Sequence, residues 1–235
     1  MKVYQRLAQA FIAEGCTATF GMMGDGNMYW LYRMHQVGIK VHECRHEGAA
    51  LGMADGYARA TRNPGVATCT HGPGVTQLAT ALVTASRARS PLVVFAGEQP
   101  TNDDDFEQSI DAGRFATACE SGFVRMGSLD TVDDAVRKAF YLAKLESRPV
   151  LLSAPVNVQK KTFDGDEPYK PSSALFRSRE AIAPNPDSRV TLARDTDPFG
   201  QRRAHLHWQL TRQDKHTMRV AAATFAATTS NPVTE

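Results

Sequence analysis

Strand-like and helix-like stretches alternate at regular spacing from residue 2 to about residue 160, and this alternation restricts the fold more than any single motif. Leu7, Phe11 and Ile12 mark a helical stripe that Gly15 ends, and Thr17 to Gly21 then reads as a short strand. A helix over 27–37, a strand over 39–44 and a helix over 48–61 follow, the last stopped by Arg62-Asn-Pro-Gly65. Residues 66–70 read as a strand and 75–87 as a helix. The run Ser90-Pro-Leu-Val-Val-Phe-Ala96 is nearly continuous in apolar residues, as a strand becomes when helices cover both faces of a parallel sheet. After the acidic loop 102–105 come a short helix near Asp111, a strand over 123–126 and a helix over 131–145. Asp133 and Asp134 stand in the first turn of that helix, where the helix dipole favours acids. Pro149 to Ala154 forms a last buried strand. Repeated strand-helix-strand units imply an α/β fold, a doubly wound, mostly parallel sheet flanked by helices.

The regular pattern fills a first domain, residues 1–170, and is lost beyond it. Residues 175–235 contain eight arginines and one lysine against six acids, with Pro184, Pro186, Pro198 and Pro232 as breaks. No sustained period is expected there, so 171–235 reads as an irregular, poorly ordered C-terminal extension. The arginines of that segment are interspersed with acids and read as a solvated face.

With 42% apolar residues in a chain of 235, a sizeable core is available. A net charge of +2 gives no reason to expect nucleic acid or a membrane surface as partner. No apolar run reaches the roughly 18 residues of a spanning helix, and the N-terminus opens into an amphipathic pattern without a signal-peptide core. Cys16, Cys44, Cys69 and Cys119 form no Cys-x-x-Cys pair and read as buried free thiols, which together with the missing signal core leads us to expect a cytoplasmic location.

Two strand-to-helix junctions concentrate the chemistry. In the first, Glu47 stands between a strand end and a helix rich in small residues, within Arg45-His-Glu-Gly-Ala-Ala50. In the second, Thr70-His-Gly-Pro-Gly-Val-Thr-Gln77 makes a glycine loop at the end of the next strand. Open α/β sheets bind ligands at such strand ends. Gly72-x-Gly74 lacks the third glycine and the later acid of a dinucleotide fingerprint, and no Gly-Lys-Ser/Thr of a phosphate-binding loop is present. His42, Cys44 and His46 alternate as metal ligands could, but a strand at the edge of a site explains them equally well. His205, His207 and His216 fall in the extension, where a chance cluster is the simpler reading, so no metal site is expected on this chain.

Over residues 1 to about 165 these segments resemble, in order and spacing, the N-terminal pyrimidine-binding domain of thiamine diphosphate enzymes. The acetolactate synthase, benzoylformate decarboxylase and pyruvate oxidase group is the nearest. The matching segments are Phe20-Gly21 with Gly24, Arg45 to Ala50, Ala54-Asp-Gly-Tyr-Ala-Arg-Ala-Thr61, Gly72-Pro-Gly74, Pro91-Leu-Val93 and Pro149-Val-Leu-Leu152. The resemblance implies that Glu47 is the catalytic carboxylate, hydrogen-bonded to N1′ of the cofactor's aminopyrimidine so that the ring can activate the thiazolium. Ala49, Ala50 and Met53 are expected to supply an apolar setting for it. It also implies that Gly24, Gly72, Pro73, Gly74 and Gln77 border the cofactor and that His71 and Gln108 face the substrate. Gln77 stands where relatives often carry Asn, and Phe106-Glu-Gln108 where acetolactate synthases read Phe-Gln-Glu.

Complete enzymes of the group hold the diphosphate through Mg²⁺ on another domain, with Gly-Asp-Gly followed some way later by Asn. Gly24-Asp25-Gly26 imitates that start, yet it occupies the first-domain loop, and Mg²⁺ is expected on a partner domain rather than on this chain. Two functions stay open. One is the aminopyrimidine half-site of a 2-oxo acid decarboxylase or carboligase, completed by a homo-oligomer or by a diphosphate-binding partner subunit. The other is a truncated, catalytically silent remnant or association module, as a frameshift near codon 172 would leave.

Overall fold

The computed structural model describes residues 1–103, 105–175, 189–196 and 202–207. Contacts divide the chain into two compact units, Met1–Phe176 and Arg177–Glu235. The first unit contains six strands: β1 (Ala18–Gly21), β2 (Lys40–Glu43), β3 (Gly65–Cys69), β4 (Leu92–Glu98), β5 (Gly122–Arg125) and β6 (Pro149–Pro155). They form one all-parallel sheet in the order β2-β1-β3-β4-β6-β5. The α/β, doubly wound reading therefore holds.

Burial along each strand follows its place in that order. Strands β1, β3 and β6 are buried at every residue and β4 at all but its last, while the edge strands β2 and β5 expose Lys40, Glu43 and Arg125. Charge at an edge discourages pairing with another chain, and a continuous apolar run needs cover on both faces.

Helices α1 (Val3–Ala13), α2 (Met28–Gln36) and α7 (Val132–Glu146) pack with Val66, Val93, Phe95, Val150 and Leu152 in one core. Helices α3 (Glu47–Thr61), α4 (Pro73–Thr76), α5 (Ala79–Arg87) and α6 (Ala112–Ala118) contribute to a second core with Leu92, Val94, Ala96 and Leu151. Val93 and Phe95 serve one core while Leu92, Val94 and Ala96 serve the other, the period-two alternation of a strand between two layers. The first core is bulky: Phe11 lies 4.9 Å from Trp30 and 5.1 Å from Phe140, and Trp30 stacks on Phe95 at 4.4 Å between ring centroids. The second is built largely from alanine and lets helix and sheet approach closely. A Cβ on Gly65 would stand 2.3 Å from the Ala54 carbonyl oxygen of α3. Arg6 of α1 donates to both carboxylate oxygens of Asp133 on α7, at 2.8 and 2.6 Å, a bidentate tie between neighbouring helices.

Three details depart from the expectations. Ile12 is 39% exposed, so the buried stripe of α1 runs through Val3, Leu7 and Phe11 without it. The helix expected over 75–87 is two pieces, α4 and α5. The Leu78 N–H turns back to the Val75 carbonyl at 3.1 Å, a tightened turn that bends the chain. In the extension, β7 (Arg189–Thr196) pairs antiparallel with β8 (Arg202–His207), aligning Val190 with Leu206 and Leu192 with Ala204. The expected lack of strand period does not hold for those two segments, whose apolar residues recur at period two. The rest of the extension lies outside the described residues. Two further short helices close the first unit, α8 (Val156–Gln159) and α9 (Ser172–Leu175). Among the described residues no helix is long and apolar enough to cross a membrane.

Candidate functional site

The connection after β1 leads outward to β2, while the chain after β3 proceeds to β4 on the opposite side. This reversal leaves a crevice beyond the C-terminal ends of β1 and β3. The loop 22–27 leaves β1 there and the loop 70–74 leaves β3. Glu47 reaches the same region from the next strand over. The Cys44 N–H donates to the Gly21 carbonyl at 2.9 Å, holding the end of β2 to β1. His46 is extended and caps α3, its Nδ1 accepting the Gly48 N–H at 3.0 Å. Glu47 is therefore the first helical residue, 7% exposed, where the dipole of a 15-residue helix favours its negative charge.

The Glu47 carboxylate accepts no hydrogen bond among the described residues, and its oxygens keep the residue's small contact with solvent. Gly74 borders it closely, since a Cβ there would stand 3.3 Å from Glu47 Oε1 and 2.9 Å from Thr70 Cγ2. Cys69, at the end of β3, is held strongly in its thiol form, first by burial and then by the charge of Glu47. Gly72 has φ +52° and ψ −109°, a conformation that requires glycine, and a Cβ on it would lie 2.0 Å from the Gln108 carbonyl oxygen.

The loop 22–27 is fixed by its own hydrogen bonds. Asn27 is fully buried. Its Oδ1 accepts the Gly24 N–H at 2.8 Å, and its Nδ2 donates to the Met22 carbonyl at 3.0 Å and to Thr68 Oγ1 at 2.9 Å. The Gly26 N–H donates to Thr70 Oγ1 at 3.1 Å, and the Gly26 carbonyl accepts from Gln159 Nε2 at 2.9 Å. Thr70 Oγ1 in turn donates to Asp25 Oδ1 at 3.0 Å. His71 is 2% exposed, with Nε2 3.2 Å from Asp25 Oδ1, its ring edge-on to Phe106 at 4.9 Å, and Nδ1 buried without a partner. The backbone groups of Gly24 and Gly26 and Oδ1 of Asp25 thus have partners within the domain, while the Asp25 side chain stays 69% exposed.

Comparison with known proteins fits this arrangement. Residues 1–115 match the family described as thiamine pyrophosphate enzyme, N-terminal TPP binding domain. Over those residues the chain is similar to that family. Over 168 residues the chain is 32% identical to a probable acetolactate synthase large subunit of Methanocaldococcus jannaschii, covering 70% of this chain and 28% of the relative. It is 32% identical over 163 residues to the acetolactate synthase isozyme 2 large subunit of Escherichia coli, 68% of this chain and 30% of that one. It is also 32% identical over 182 residues to a glyoxylate carboligase of Escherichia coli, 72% of this chain and 30% of that one. The chain spans less than a third of the length of each of these relatives.

Within this domain, the expected site residues divide into two groups. Glu47 meets Gly74, Gly24 packs on Thr70, and His71 follows Thr70 at the end of β3. Pro73 is exposed, and Gln77 is exposed with its Oε1 3.1 Å from His46 Nε2, so its side chain reaches the capping histidine. Gln108 touches the site through its backbone against Gly72 while its residue is exposed. Ala49 and Met53 are also exposed and do not supply the apolar setting expected of them, because they fall on the outer face of α3. Ala50 is fully buried. Sequence reasoning passed over Asn27, Asp25 and Thr70. The spacing Gly24-x-x-Asn27 was a visible loop signal, but the bonds to Thr68 and Thr70 join residues more than 40 positions apart.

An aminopyrimidine fits the residues present. A carboxylate without an internal partner, next to a glycine that leaves its oxygen accessible, can hydrogen-bond a ring nitrogen. A metal fits them less well. Among the described residues no three histidine, cysteine, aspartate or glutamate side chains converge.

Proposed function

We propose that this chain provides the aminopyrimidine half of a thiamine diphosphate site in a 2-oxo acid decarboxylase or carboligase of the acetolactate synthase type. The observation that carries the reading is Glu47: buried at a helix start, against Gly74, with no hydrogen bond from the described residues. When bound, the cofactor supplies the carbanion chemistry. Glu47 shares a proton with N1′ of the pyrimidine and so orients and polarises the ring. Gly74 and Gly72 keep side chains out of the space the ring occupies, and Gly24 closes its border from the β1 side. Pro73 stiffens the turn between the two glycines. His71 is assigned to the substrate side, its Nδ1 buried without a partner among the described residues. Gln77 and Gln108 act at the periphery, one through His46 and one through its backbone.

The diphosphate and its Mg²⁺ then belong to another domain, supplied by a diphosphate-binding subunit. The internal commitments of Gly24-Asp25-Gly26 support that division of labour. All four cysteines are free, in keeping with a reducing, cytoplasmic setting.

Calorimetric titration of the chain with thiamine diphosphate and Mg²⁺ tests the reading. Saturable binding that Glu47→Gln weakens is expected. Binding that Glu47→Gln leaves unchanged would contradict the role given to Glu47, and no binding with any partner domain present would make the chain a silent remnant.

A further inference from the structure

We propose that His46 is the positioning residue for Glu47, bracing the first turn of α3 against the bend between α4 and α5. The inference rests on the reading of Glu47 given above. The Glu47 carboxylate has no hydrogen bond of its own among the described residues, so its place is set through its backbone neighbours. His46 contacts both sides of it.

A backbone N–H can only donate. Because the Gly48 N–H points at His46 Nδ1 at 3.0 Å, Nδ1 presents its lone pair and carries no proton. The proton of the neutral ring is then on Nε2, and Nε2 lies 3.1 Å from Gln77 Oε1, an acceptor. Each end of the imidazole meets the complementary group. Ser, Thr, Asp or Asn would cap the helix as well, but none joins a short acceptor on one edge to a donor across the ring. Glycine at position 48 allows this seating, since a Cβ there would be 3.1 Å from His46 Nδ1 and 3.3 Å from the Gln77 carbonyl oxygen.

The far end of the brace matters equally. Gln77 is the C-cap of α4, three residues beyond Gly74, which borders Glu47 Oε1. His46 is thus bonded on one side to the residue after Glu47 and on the other to the end of the short helix that carries Gly74. It fixes the distance between the carboxylate and the glycine wall, and with it the space left for a pyrimidine ring. This also accounts for the glutamine at 77: its side chain serves the histidine.

The test uses the full chain. The ¹⁵N resonances of the His46 ring are expected to show a bare Nδ1 and a protonated Nε2; a proton on Nδ1 would overturn the proposal. His46→Asn keeps an acceptor for Gly48 but falls short of Gln77, and Gln77→Ala removes the far end. Each is expected to weaken thiamine diphosphate binding about tenfold, as a small misplacement of a positioned group can. The double variant is expected to be no worse than either single, and Gln77→Glu, which retains the acceptor, to restore binding. Additive losses, or singles that bind like the parent, would refute the brace. Should the parent chain bind no cofactor, the reading of Glu47 is what fails. The brace is then decided by the Gly48 amide, whose exchange should quicken about fivefold in His46→Ala and whose unchanged exchange would overturn it.

Discussion

At the scale of single residues, the site depends on what is kept away from Glu47. Gly74→Ala would place a methyl group 3.3 Å from Glu47 Oε1 and 2.9 Å from Thr70 Cγ2. We expect it to lose thiamine diphosphate affinity while shifting the thermal midpoint little, because its backbone conformation needs no glycine; calorimetry and a melting curve on the same sample check both halves. A second residue-scale prediction concerns alkaline pH. Burial pushes the Cys16 thiol from its ordinary 9.0 up to about 12, with a backbone hydrogen bond at Ala18 acting the other way. The folded chain holds this proton more tightly than the unfolded chain. The resulting stability is complete below pH 9.0 and is lost as pH rises toward about 12. Urea midpoints measured from pH 8 to 11 should fall, and Cys16→Ala should remove up to about 1.4 kcal/mol per pH unit from that slope. Glu47 itself was legible in the sequence because an acid between a strand end and a small-residue helix has a place dictated by local pattern. The partners of His46 and Asn27 were not, since hydrogen bonds between loops leave no periodic mark.

At the scale of elements, the two loops that frame the crevice are stabilised by different means. Asn27 ties the β1 loop to β3, and Asn27→Ala would leave the Gly24 N–H and the Met22 carbonyl without their partner. A cost of about 2–4 kcal/mol is expected from unpaired buried groups, measurable by denaturant unfolding, with the 22–27 amides exchanging faster than the rest. On the opposite side of the domain, Glu14 of α1 accepts from Tyr169 Oη at 2.8 Å and from the Ser172 N–H and Oγ at 2.7 and 2.6 Å. Glu14→Ala should release this segment and cost about 2–3 kcal/mol, and limited proteolysis should then cut near residues 165–175 sooner than in the parent. The strands and helices that build the sheet were readable because burial on one or two faces imposes periods of 2 and 3.6. The break at Gln77–Leu78 was not, because residues 75–87 keep a helical pattern across it and only the turn of the backbone reveals the bend. The hairpin of β7 and β8 was readable in principle from Val190, Leu192, Ala204 and Leu206. The surrounding prolines and arginines masked so short an alternation.

At the scale of the molecule, the proposed site is built on one sheet and would supply half of what the cofactor needs. The domain brings a carboxylate at a helix start, a glycine wall and a buried histidine to the reversal of strand order. Its relatives are more than twice as long, and in this account the diphosphate and the metal are held by what a further domain adds. The first domain was legible: its motifs were present in order, and the only Gly-Asp-Gly run lay where a loop was due. In the structure the backbone groups of Gly24 and Gly26 and Oδ1 of Asp25 have partners within the fold. The most direct measurement is titration of the full chain, with and without a diphosphate-binding partner domain, by thiamine diphosphate and Mg²⁺, beside Glu47→Gln. The account predicts saturable binding that the substitution weakens at least tenfold, the loss of one hydrogen bond to a charged group being worth about 1.5–3 kcal/mol. Equal binding by both proteins would contradict it, since the cofactor would then be held without the carboxylate on which the site is centred.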